Sequence, residues 1–513
     1  MKKFYSLLVC LTSCCAMAQA QTTFPVAIDE TNFPDKSFRK VLLTATYDRD
    51  QDGMLSQEEA ERVIELTMNY KYPHIANLKG IEYFTNLLSL SVQSNDLTDI
   101  DLSKNTKLTY LNIKGNKFET IDFSDCPSLE AIICNDNSSL KEVKLAGNPN
   151  LRRFECNSVK TLTQLDVSAN AELDSLCCYS DGLTAIDVSK NPKLRYLNCS
   201  SNKITSLDVT KNPELKTLYC GRNTYEGGVL DLSNNPKLDE LDCQQAGLTS
   251  LDFTANPALR LLTCSFNNLL TLDLSKNAAL YKILVSYNKQ MTDLKLGNLP
   301  ELYDLQLAGC PIESIDLSET PKLNSLNFSF SHMRRIDLSG TPNLKSLTCG
   351  TDSLVALDLS GISLTYSGLR YSKSNRTVTL TSGNKFDLST LAEDGLDVSR
   401  VTEVTGGTLD GNILSFTGET VTYKYLTMCK NANYSTLTVN LIATNYDSDS
   451  VSDITADTAA VSVDGRTVNA AGPIAAYSTT GALVASGNDN LTLPAAGLYI
   501  IKVGEQTFKV SVR

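Results

Sequence analysis

The sequence lacks tryptophan and contains only two histidines, His74 and His332, among its 513 residues. It also lacks an excess of basic residues, because its formal net charge is −12. Binding to nucleic acid or to an anionic membrane needs a basic face, so this composition argues against both. No stretch beyond the first residues is apolar and long enough to span a bilayer, which argues against membrane insertion. The absence of tryptophan also weighs against a glycan partner.

Sequence motifs of catalysis are missing as well. We find no nucleophile elbow, no zinc-protease helix and no glycine-rich phosphate loop. His74 has no serine or cysteine partner motif nearby, and His332 lies at a turn inside a repeat. The sequence therefore predicts a protein that is not an enzyme.

The first 20 residues, MKKFYSLLVCLTSCCAMAQA, have the pattern of an export signal. Lys2 and Lys3 form its positive end, residues 4–11 its apolar run, and residues 18–20 a small-x-small cleavage site. A second interpretation stays open, because residues 11–14 match a lipoprotein box with Cys14 as the lipidated residue. Either pattern predicts a protein that is exported and then soluble or attached to a surface.

A repeat of about 21 residues organises most of the chain. The tetrapeptide I-D-L-S and its variants recur thirteen times between residues 100 and 360, at spacings of 21 to 23 residues. The pattern L-x-x-L-x-Φ, where Φ is apolar, lies ahead of each copy. Its alternation predicts one short, half-buried strand per copy, and stacked copies place these strands parallel and about 4.8 Å apart. One coil cannot stand alone, so the two ends of such a stack need caps.

This pattern resembles the leucine-rich-repeat family, L-x-x-L-x-L-x-x-N/C-x-L, over about residues 81–361. The resemblance implies a solenoid of about 13 coils with parallel strands on its concave face. An asparagine often follows three residues after Φ, where its side chain can bond turn backbone that has no ladder partner. These asparagines are Asn95, Asn116, Asn137, Asn202, Asn223, Asn267 and Asn288, and Cys310 takes the same place in its copy.

Cysteine occupies Φ in seven successive copies and again in a later one. The same slot holds Val92, Ile113 or Phe328 elsewhere, so we expect a buried position in which cysteine acts as a small hydrophobe. Disulfides between neighbours fit poorly, because in-register strands hold Cβ atoms near ~4.8 Å and a disulfide needs about 3.5–4.5 Å. A linear row of thiols offers no tetrahedral metal site. The eight are Cys134, Cys156, Cys178, Cys199, Cys220, Cys243, Cys264 and Cys349.

This cysteine column resembles the cysteine-ladder branch of the internalins, which are bacterial surface proteins. The resemblance implies an adhesin-like role. Partial disulfides and metal binding stay open as alternatives to reduced, buried thiols. Cys177 lies one step off the column, and the alternation predicts that its side chain turns outward.

Residues 48–59, DRDQDGMLSQEE, resemble an EF-hand calcium loop with no mismatch to D-x-D-x-D-G-x-L-S-x-x-E. Only one such loop is present, so we expect a single structural Ca²⁺ in a helical cap over the first coil. Gly53 would supply the sharp turn, and a solvated acidic turn is the alternative. The ligands implied are the carboxylates of Asp48, Asp50 and Asp52, the carbonyl of Met54, an oxygen of Ser56 and the bidentate carboxylate of Glu59.

The 21-residue period stops past residue 365. Short alternating runs between turn residues then predict a small antiparallel β-sandwich that caps the last coil. The tail resembles the C-terminal sorting domain of the type 9 secretion pathway, most clearly in LPAAGLYIIKV at 493–503. The resemblance implies passage through a Gram-negative outer membrane followed by attachment or release, and an ordinary β-sandwich is the alternative.

The predicted organisation contains a solenoid between two kinds of cap. Its parts are a signal peptide (1–20), a helical EF-hand-like N-cap (21–80), leucine-rich repeats (81–365), a β-sandwich C-cap domain (366–444), a Ser- and Asp-rich linker (445–459) and a C-terminal sorting or β-sandwich domain (460–513). Strand positions that flank the buried residues face the concave side. We therefore expect a protein to bind on that side.

Aromatic residues mark where that protein would bind. Tyr179, Tyr196 and Tyr219 lie on a diagonal of neighbouring copies, and Phe266 and Tyr287 lie at the rim, with Phe330 further along. Exposed aromatic clusters favour a protein partner, and a host surface is one source of it. The prediction is a protein-binding, adhesin-like surface protein. A rigid spacer or a glycan-binding surface protein are the alternatives.

Overall fold

The computed structural model describes residues 23–69, 74–350, 352–367, 373–447, 461–503 and 506–512. The predicted signal peptide and most of the predicted linker lie outside these residues. The chain divides into two compact units, Met1–Leu215 and Lys216–Arg513, and each is described by itself. Within the described ranges, no helix combines the length and the apolar character needed to cross a membrane.

The first unit is built on short parallel strands, one per repeat. Each strand joins its neighbour in register, so that Leu90 lies opposite Leu111 and Leu111 opposite Ile132. The middle residue of each strand is buried and the flanking residues face away from the core. These strands are Glu65–Thr67, Ser89–Ser91, Tyr110–Asn112, Ala131–Ile133, Arg153–Glu155, Ser175–Cys177 and Tyr196–Asn198.

The second unit continues the same pattern, with Leu241 opposite Leu262 and Leu262 opposite Ile283. The fold is thus a parallel-strand solenoid of about 13 turns, as the sequence predicts. Two pairs of short strands form elsewhere in the coils, Thr120–Asp122 with Glu142–Lys144 and Thr271–Asp273 with Asp293–Lys295. The main strands of this unit are Thr217–Tyr219, Glu240–Asp242, Leu261–Thr263, Lys282–Leu284, Asp304–Gln306, Ser325–Asn327, Ser346–Thr348 and Tyr366–Ser367.

The cysteine column lies inside the coils. All eight of its side chains have 0% exposure, which confirms the predicted core position. Burial raises the pKa of seven of these thiols, for example that of Cys220 to about 12, so these seven stay neutral and unreactive. The exposure of Cys177, in contrast, differs from the prediction. It occupies the outward third position of its strand, but its neighbours cover it and leave it only 8% exposed.

Two columns of buried asparagines tie the coils together. In the predicted column, Asn267 Nδ2 donates to the carbonyl oxygens of Cys243 and Cys264, both at 3.0 Å. A second column follows the I-D-L-S turn, where Asn256 Nδ2 donates to Leu232 O at 3.0 Å and Asn235 O at 2.9 Å. The sequence analysis missed this second column, although its signal, an asparagine two residues after the serine, is present in most copies.

A short helical segment precedes the first coil. Helix Lys36–Leu42 begins at the cap Asp35 and buries Phe38, Val41 and Leu42, and helix Gln57–Arg62 begins with a capping box. Strand Met54–Leu55 pairs antiparallel with Val26–Ala27, which fixes the loop between the two helices.

Two sheets follow the last coil, and they differ partly from the predicted antiparallel sandwich. The first contains Lys373–Val378, Thr436–Ala443, Thr420–Leu426 and Val401–Thr405, in that spatial order. Its first pair is parallel rather than antiparallel. Parallel strands need a long connection, and the residues between these two partners, about 60 in number, let the chain return in the same direction. The second sheet contains Lys385–Asp387, Ile413–Phe416 and Gly407–Asp410.

The C-terminal residues form one five-stranded antiparallel sheet with its own core, which includes Val468, Ile474 and Ile501. The described strands of this region join one hydrogen-bonded sheet, which agrees in part with the sorting or β-sandwich domain that the sequence predicts. Its strands are Val461–Asp464, Thr467–Ser478, Leu483–Thr492, Gly497–Val503 and Gln506–Val512.

Candidate functional site

Each coil whose residue two positions after Φ is among the described residues turns through a left-handed residue there. Most coils place serine, aspartate, glutamine, arginine or glycine there, for example Ser158 with φ 64° and Ser201 with φ 58°. Phe266, Tyr287 and Phe330 occupy the same position with φ 60°, 61° and 59°. A left-handed conformation costs a residue with a side chain about 1–2 kcal/mol, and bulky residues seldom adopt it. The second unit therefore holds three aromatic residues in a costly conformation.

The exposed aromatic side chains are concentrated in four successive coils. Five of the seven exposed aromatic residues in the described part of the chain lie between residues 261 and 330; the other two are Tyr179 and Tyr366. We call the five the aromatic strip: Phe266, Tyr281, Tyr287, Tyr303 and Phe330.

The rings of Phe266 and Tyr287 are stacked, with centroids 4.6 Å apart and planes 14° from parallel. Gly309 holds the equivalent position in the next coil, with φ 71°. A Cβ atom at Gly309 would lie 2.7 Å from the Tyr287 ring, so only glycine leaves room for the ring there. The pair is thus held flat against the rim of the strands, where it stays largely exposed.

Tyr281 and Tyr303 border the opposite end of the same strands. Each immediately precedes a strand, and Tyr303 N donates to Tyr281 O at 2.8 Å. The sequence analysis missed both residues because it considered only positions within and after the strand. Their signal was available, since two tyrosines follow the first leucine of the repeat in successive copies.

The surface between the two aromatic rows carries little net charge. Lys282 and Asp304 neutralise each other across neighbouring strands, with Nζ and Oδ2 3.5 Å apart. Leu261 and Leu284 are half-buried on the same face. This face has no net charge and is partly apolar, with exposed rings on two sides, and such a composition suits contact with a partner.

The three tyrosines of the predicted diagonal do not form one exposed cluster. Tyr179 is exposed, but Tyr196 and Tyr219 are half-buried on their strands. Burial raises the pKa of Tyr196, which also contacts Cys177. Tyr179 and Tyr196 belong to the first unit and Tyr219 to the second. Of the predicted partner-binding residues, Phe266 and Tyr287 lie in the aromatic strip.

The acidic loop of the first unit brings three carboxylates together. Single carboxylate oxygens of Asp48, Asp50 and Asp52 all lie within 4.8 Å of one another. Oxygens bound to one Ca²⁺ at about 2.4 Å cannot be further apart than about 4.8 Å, so these groups fit that ion. Gly53 takes φ 76°, as the predicted turn requires.

Glu59 closes this loop from its other end. Its carboxylate accepts hydrogen bonds from Arg49 N at 2.6 Å and from Ser56 N at 3.0 Å, and Ser56 Oγ donates to it at 2.8 Å. Burial tends to raise the pKa of Glu59, but these hydrogen bonds outweigh burial and lower it. The carboxylate is therefore ionised at neutral pH. Met54, the fourth residue of the predicted ligand set, donates its N–H to Asp52 Oδ1 at 2.8 Å.

Aspartates of the I-D-L-S turn have a structural explanation. In each case the carboxylate accepts from a backbone N–H two residues on, as Asp316 does from Ser318 at 3.0 Å. Serine or backbone donors lower the pKa of such groups, for example that of Asp273 to about 2. These periodic carboxylates stabilise turns.

Solved structures that resemble this chain are leucine-rich-repeat proteins. The functional domain of InlJ from Listeria monocytogenes, which includes a cysteine ladder, has 25% sequence identity and a TM-score of 0.64, and the match covers 82% of this chain and 99% of that one. The internalin InlF of the same organism has 23% identity and a TM-score of 0.49, covering 67% and 98%. A leucine-rich-repeat protein of Leptospira interrogans has 16% identity and a TM-score of 0.43, covering 62% and 91%.

No protein-family model and no curated protein sequence matches the chain. The structural likeness to InlJ agrees with the column of buried thiols described above. Folds of this kind are typical of protein-binding surface proteins. The fold of this chain is therefore an internalin-like leucine-rich-repeat solenoid with a cysteine ladder.

Proposed function

We propose that this chain is an exported, non-enzymatic surface protein that binds another protein through the aromatic strip of its second unit. The export signal and the tail resemblance in the sequence support the location, with the outer surface of a Gram-negative bacterium as the expected site. The adhesin-like role rests on the exposed aromatic residues.

One observation carries this proposal. Five of the seven exposed aromatic side chains in the described residues lie within four coils, and three of them occupy left-handed positions. Neither exposure nor a left-handed aromatic residue stabilises a fold. Aromatic residues are also the side chains that most often dominate protein interfaces. Binding to a partner therefore explains these exposed aromatic residues, whereas the stability of the fold does not.

A protein partner suits the strip better than the alternatives do. A rigid spacer would need no exposed aromatic residues. Sugar-binding surfaces also use flat rings, so a glycan partner is an outcome that the experiment must separate. The near-neutral face between Lys282 and Gln306 favours a partner surface that is itself uncharged and partly apolar.

The test compares immobilised mature chain, residues 21–513 with Ca²⁺, against a variant with Phe266, Tyr287 and Phe330 all replaced by alanine. Bound proteins are identified by mass spectrometry, and both chains are applied to a glycan array. We expect at least one protein to bind the original chain and not the variant, and no glycan to separate the two.

A matched control carries Val229→Ala and Leu270→Ala, which remove exposed apolar side chains outside the strip. We expect the control to keep the same bound protein. Equal binding by all three chains would support the spacer, and a glycan lost only with the aromatic residues would replace the protein partner.

We also propose that the loop of residues 48–59 binds one structural Ca²⁺. The convergent oxygens of Asp48, Asp50 and Asp52 and the ionised Glu59 support this, since Ca²⁺ prefers several oxygen ligands. The ion would offset the repulsion among the carboxylates and hold the two short helices in front of the first coil. Extracellular sites of this kind often bind at about 10⁻⁴–10⁻³ M.

Chelation is the test of this second proposal. We expect the melting temperature to be lower in EDTA than in millimolar Ca²⁺, because the ion binds only the folded loop. Asp50→Asn combined with Asp52→Asn should abolish the difference. An unchanged melting curve in EDTA would contradict the calcium site.

A further inference from the structure

Two positions of the asparagine column that follows Φ hold aspartate instead. Asp181 lies three residues after Cys178, and Asp352 lies three residues after Cys349. Both side chains are buried, with 6% and 1% exposure. Aspartate and asparagine have the same shape, but an ionised aspartate cannot donate a hydrogen bond.

The asparagines in this column use both ends of the side chain. Asn288 Oδ1 accepts from Leu269 N at 3.1 Å, while its Nδ2 donates to Val285 O at 2.7 Å and Cys264 O at 3.1 Å. Each Nδ2 therefore faces two backbone carbonyl oxygens, one from its own coil and one from the preceding coil. Where the column holds asparagine, these two oxygens therefore receive a donor.

Asp181 keeps the acceptor half of this arrangement. Its Oδ1 accepts from Val159 N at 2.6 Å, just as Asn202 Oδ1 accepts from Leu183 N at 3.1 Å one coil later. Its other oxygen, Oδ2, lies at the position of the asparagine Nδ2 and receives only the weak donor Cys156 Sγ, at 3.5 Å. A proton on Oδ2 would restore the missing donor.

Asp352 repeats this pattern in the second unit. Its Oδ1 accepts from Ser331 N at 3.2 Å and from Ser331 Oγ at 3.1 Å, but its buried Oδ2 has no partner among the described residues. Its backbone oxygen accepts from Asn375 N at 2.8 Å and Ser374 Oγ at 3.0 Å. Asp352 therefore joins the last complete coil to the sheet that follows it.

No cation compensates either carboxyl group. Within the described residues neither aspartate forms an ion pair, and the titratable groups that face them are thiols: Cys134, Cys156, Cys177 and Cys178 at Asp181, and Cys349 at Asp352. Burial raises the pKa of Asp181 and of Asp352 to about 7, although hydrogen bonds to Oδ1 oppose it.

We propose that Asp181 and Asp352 are protonated in the native fold and act as pH-dependent joints between coils. In acid each carboxyl group donates from Oδ2 and completes the column. As the pH rises, each carboxyl group ionises. Its charged Oδ2 then repels the carbonyl groups around it, and the two coils that the aspartate joins separate more easily. These two joints are thus held most tightly in acidic surroundings.

The sign of the effect follows from linkage. The pKa of each group is higher in the folded chain than the unfolded value near 3.8. The stabilisation is therefore complete below about pH 4 and is lost as the pH rises through about 7. A shift of about three pKa units corresponds to at most about a thousandfold in the local opening equilibrium for each residue.

Hydrogen exchange on the full mature chain in saturating Ca²⁺ tests the proposal. The amides of Val159 and Ser331 report directly, because they donate to the two carboxyl groups. After correction for intrinsic exchange, we expect their protection to fall by about ten- to a hundredfold between pH 5 and pH 8, because part of the total change lies below pH 5. Asp181→Asn should remove the fall at Val159 only, and Asp352→Asn the fall at Ser331 only.

Asp316→Asn is the matched control, because that exposed turn aspartate has a lowered pKa and titrates only in stronger acid. It should leave both profiles unchanged. Flat protection in the original chain between pH 5 and pH 8, or a fall that persists in the asparagine variants, would overturn the proposal. The free energy of unfolding in urea should be measured for the same four chains at pH 5 and pH 8. We expect Asp181→Asn and Asp352→Asn to be more stable than the original chain only at pH 8.

Discussion

The strand faces of the two units differ although their interiors are alike. In the first unit the face around residues 153–198 is covered by ion pairs, such as Arg153 with Glu155 and Arg195 with Asp174. In the second unit the main-strand residues between Leu261 and Asn327 form one ion pair, Lys282 with Asp304, which lies between rows of exposed rings. Both rest on the same buried leucine and Φ columns.

This difference separates what the fold needs from what binding needs. The fold fixes the middle strand residue, Φ and the two asparagine columns, because each of these is buried and contacts the next coil. It leaves the first and third strand positions and the left-handed residue free. Function can therefore change along the solenoid without changing its core.

The largest expected effect is on the affinity of the aromatic strip for its protein partner. Phe266→Ala, Tyr287→Ala and Phe330→Ala together should weaken the protein partner at least 100-fold in Kd, because buried aromatic anchors each contribute about 2 kcal/mol or more. Replacing Arg153, Asp174 and Arg195 by alanine should change Kd less than threefold. Titration calorimetry measures both, and a larger effect from the charged residues would reverse our assignment.

A second experiment tests whether the interiors are equivalent. Cys178→Ala in the first unit and Cys264→Ala in the second both remove one fully buried sulfur atom. We expect each to lower the free energy of unfolding by about 1–2 kcal/mol, within about 0.5 kcal/mol of each other. Urea unfolding checks this. Very different costs would show that the cores are not interchangeable.

A third prediction concerns the left-handed aromatic residues. Phe330 is 61% exposed and has φ 59°, so its side chain adds little packing but cannot relieve the strain. Phe330→Gly should be about 1 kcal/mol more stable than Phe330→Ala, because only glycine adopts this conformation freely. Thermal unfolding compares the two, with Leu270→Gly against Leu270→Ala as the unstrained control, where alanine should be equal or better.

The smallest expected effect is the change in Kd with salt concentration, which distinguishes binding by the aromatic strip from binding by the ion-paired face. An uncharged strip predicts that Kd changes less than threefold between 0.05 and 0.5 M NaCl, since screening acts on exposed charges. Binding through the ion-paired face would weaken clearly over the same range. Surface plasmon resonance at several salt concentrations would reveal this, and a steep dependence would contradict the strip.

The sequence predicts the solenoid well because the fold repeats. Thirteen copies of one pattern place the buried leucines of the strands and the eight cysteines of the column, and a slot that accepts Val92, Cys134 or Phe328 must be interior. The parallel pairing of Lys373–Val378 with Thr436–Ala443 escaped prediction, because it joins strands far apart in sequence. The alternation of apolar and polar residues predicts which face of a strand is buried, but it does not predict which strand pairs with it.

The site is less predictable than the fold. Alternation indicates which residues point outward, yet it cannot tell how far neighbours cover them, and so Cys177 and Tyr196 are less exposed than expected. Phe266 and Tyr287 are at the rim, as predicted, because their place in the repeat fixes their position. Their stacking depends on a third coil, and a single-coil pattern does not contain that information.

Gly309 makes the recognition surface vulnerable at a residue that a partner need never touch. A single methyl group at this position would push the Tyr287 ring off its resting place and separate it from Phe266. The most damaging substitution in this region is therefore one that adds an atom beside the contact surface, while every aromatic residue remains in the sequence.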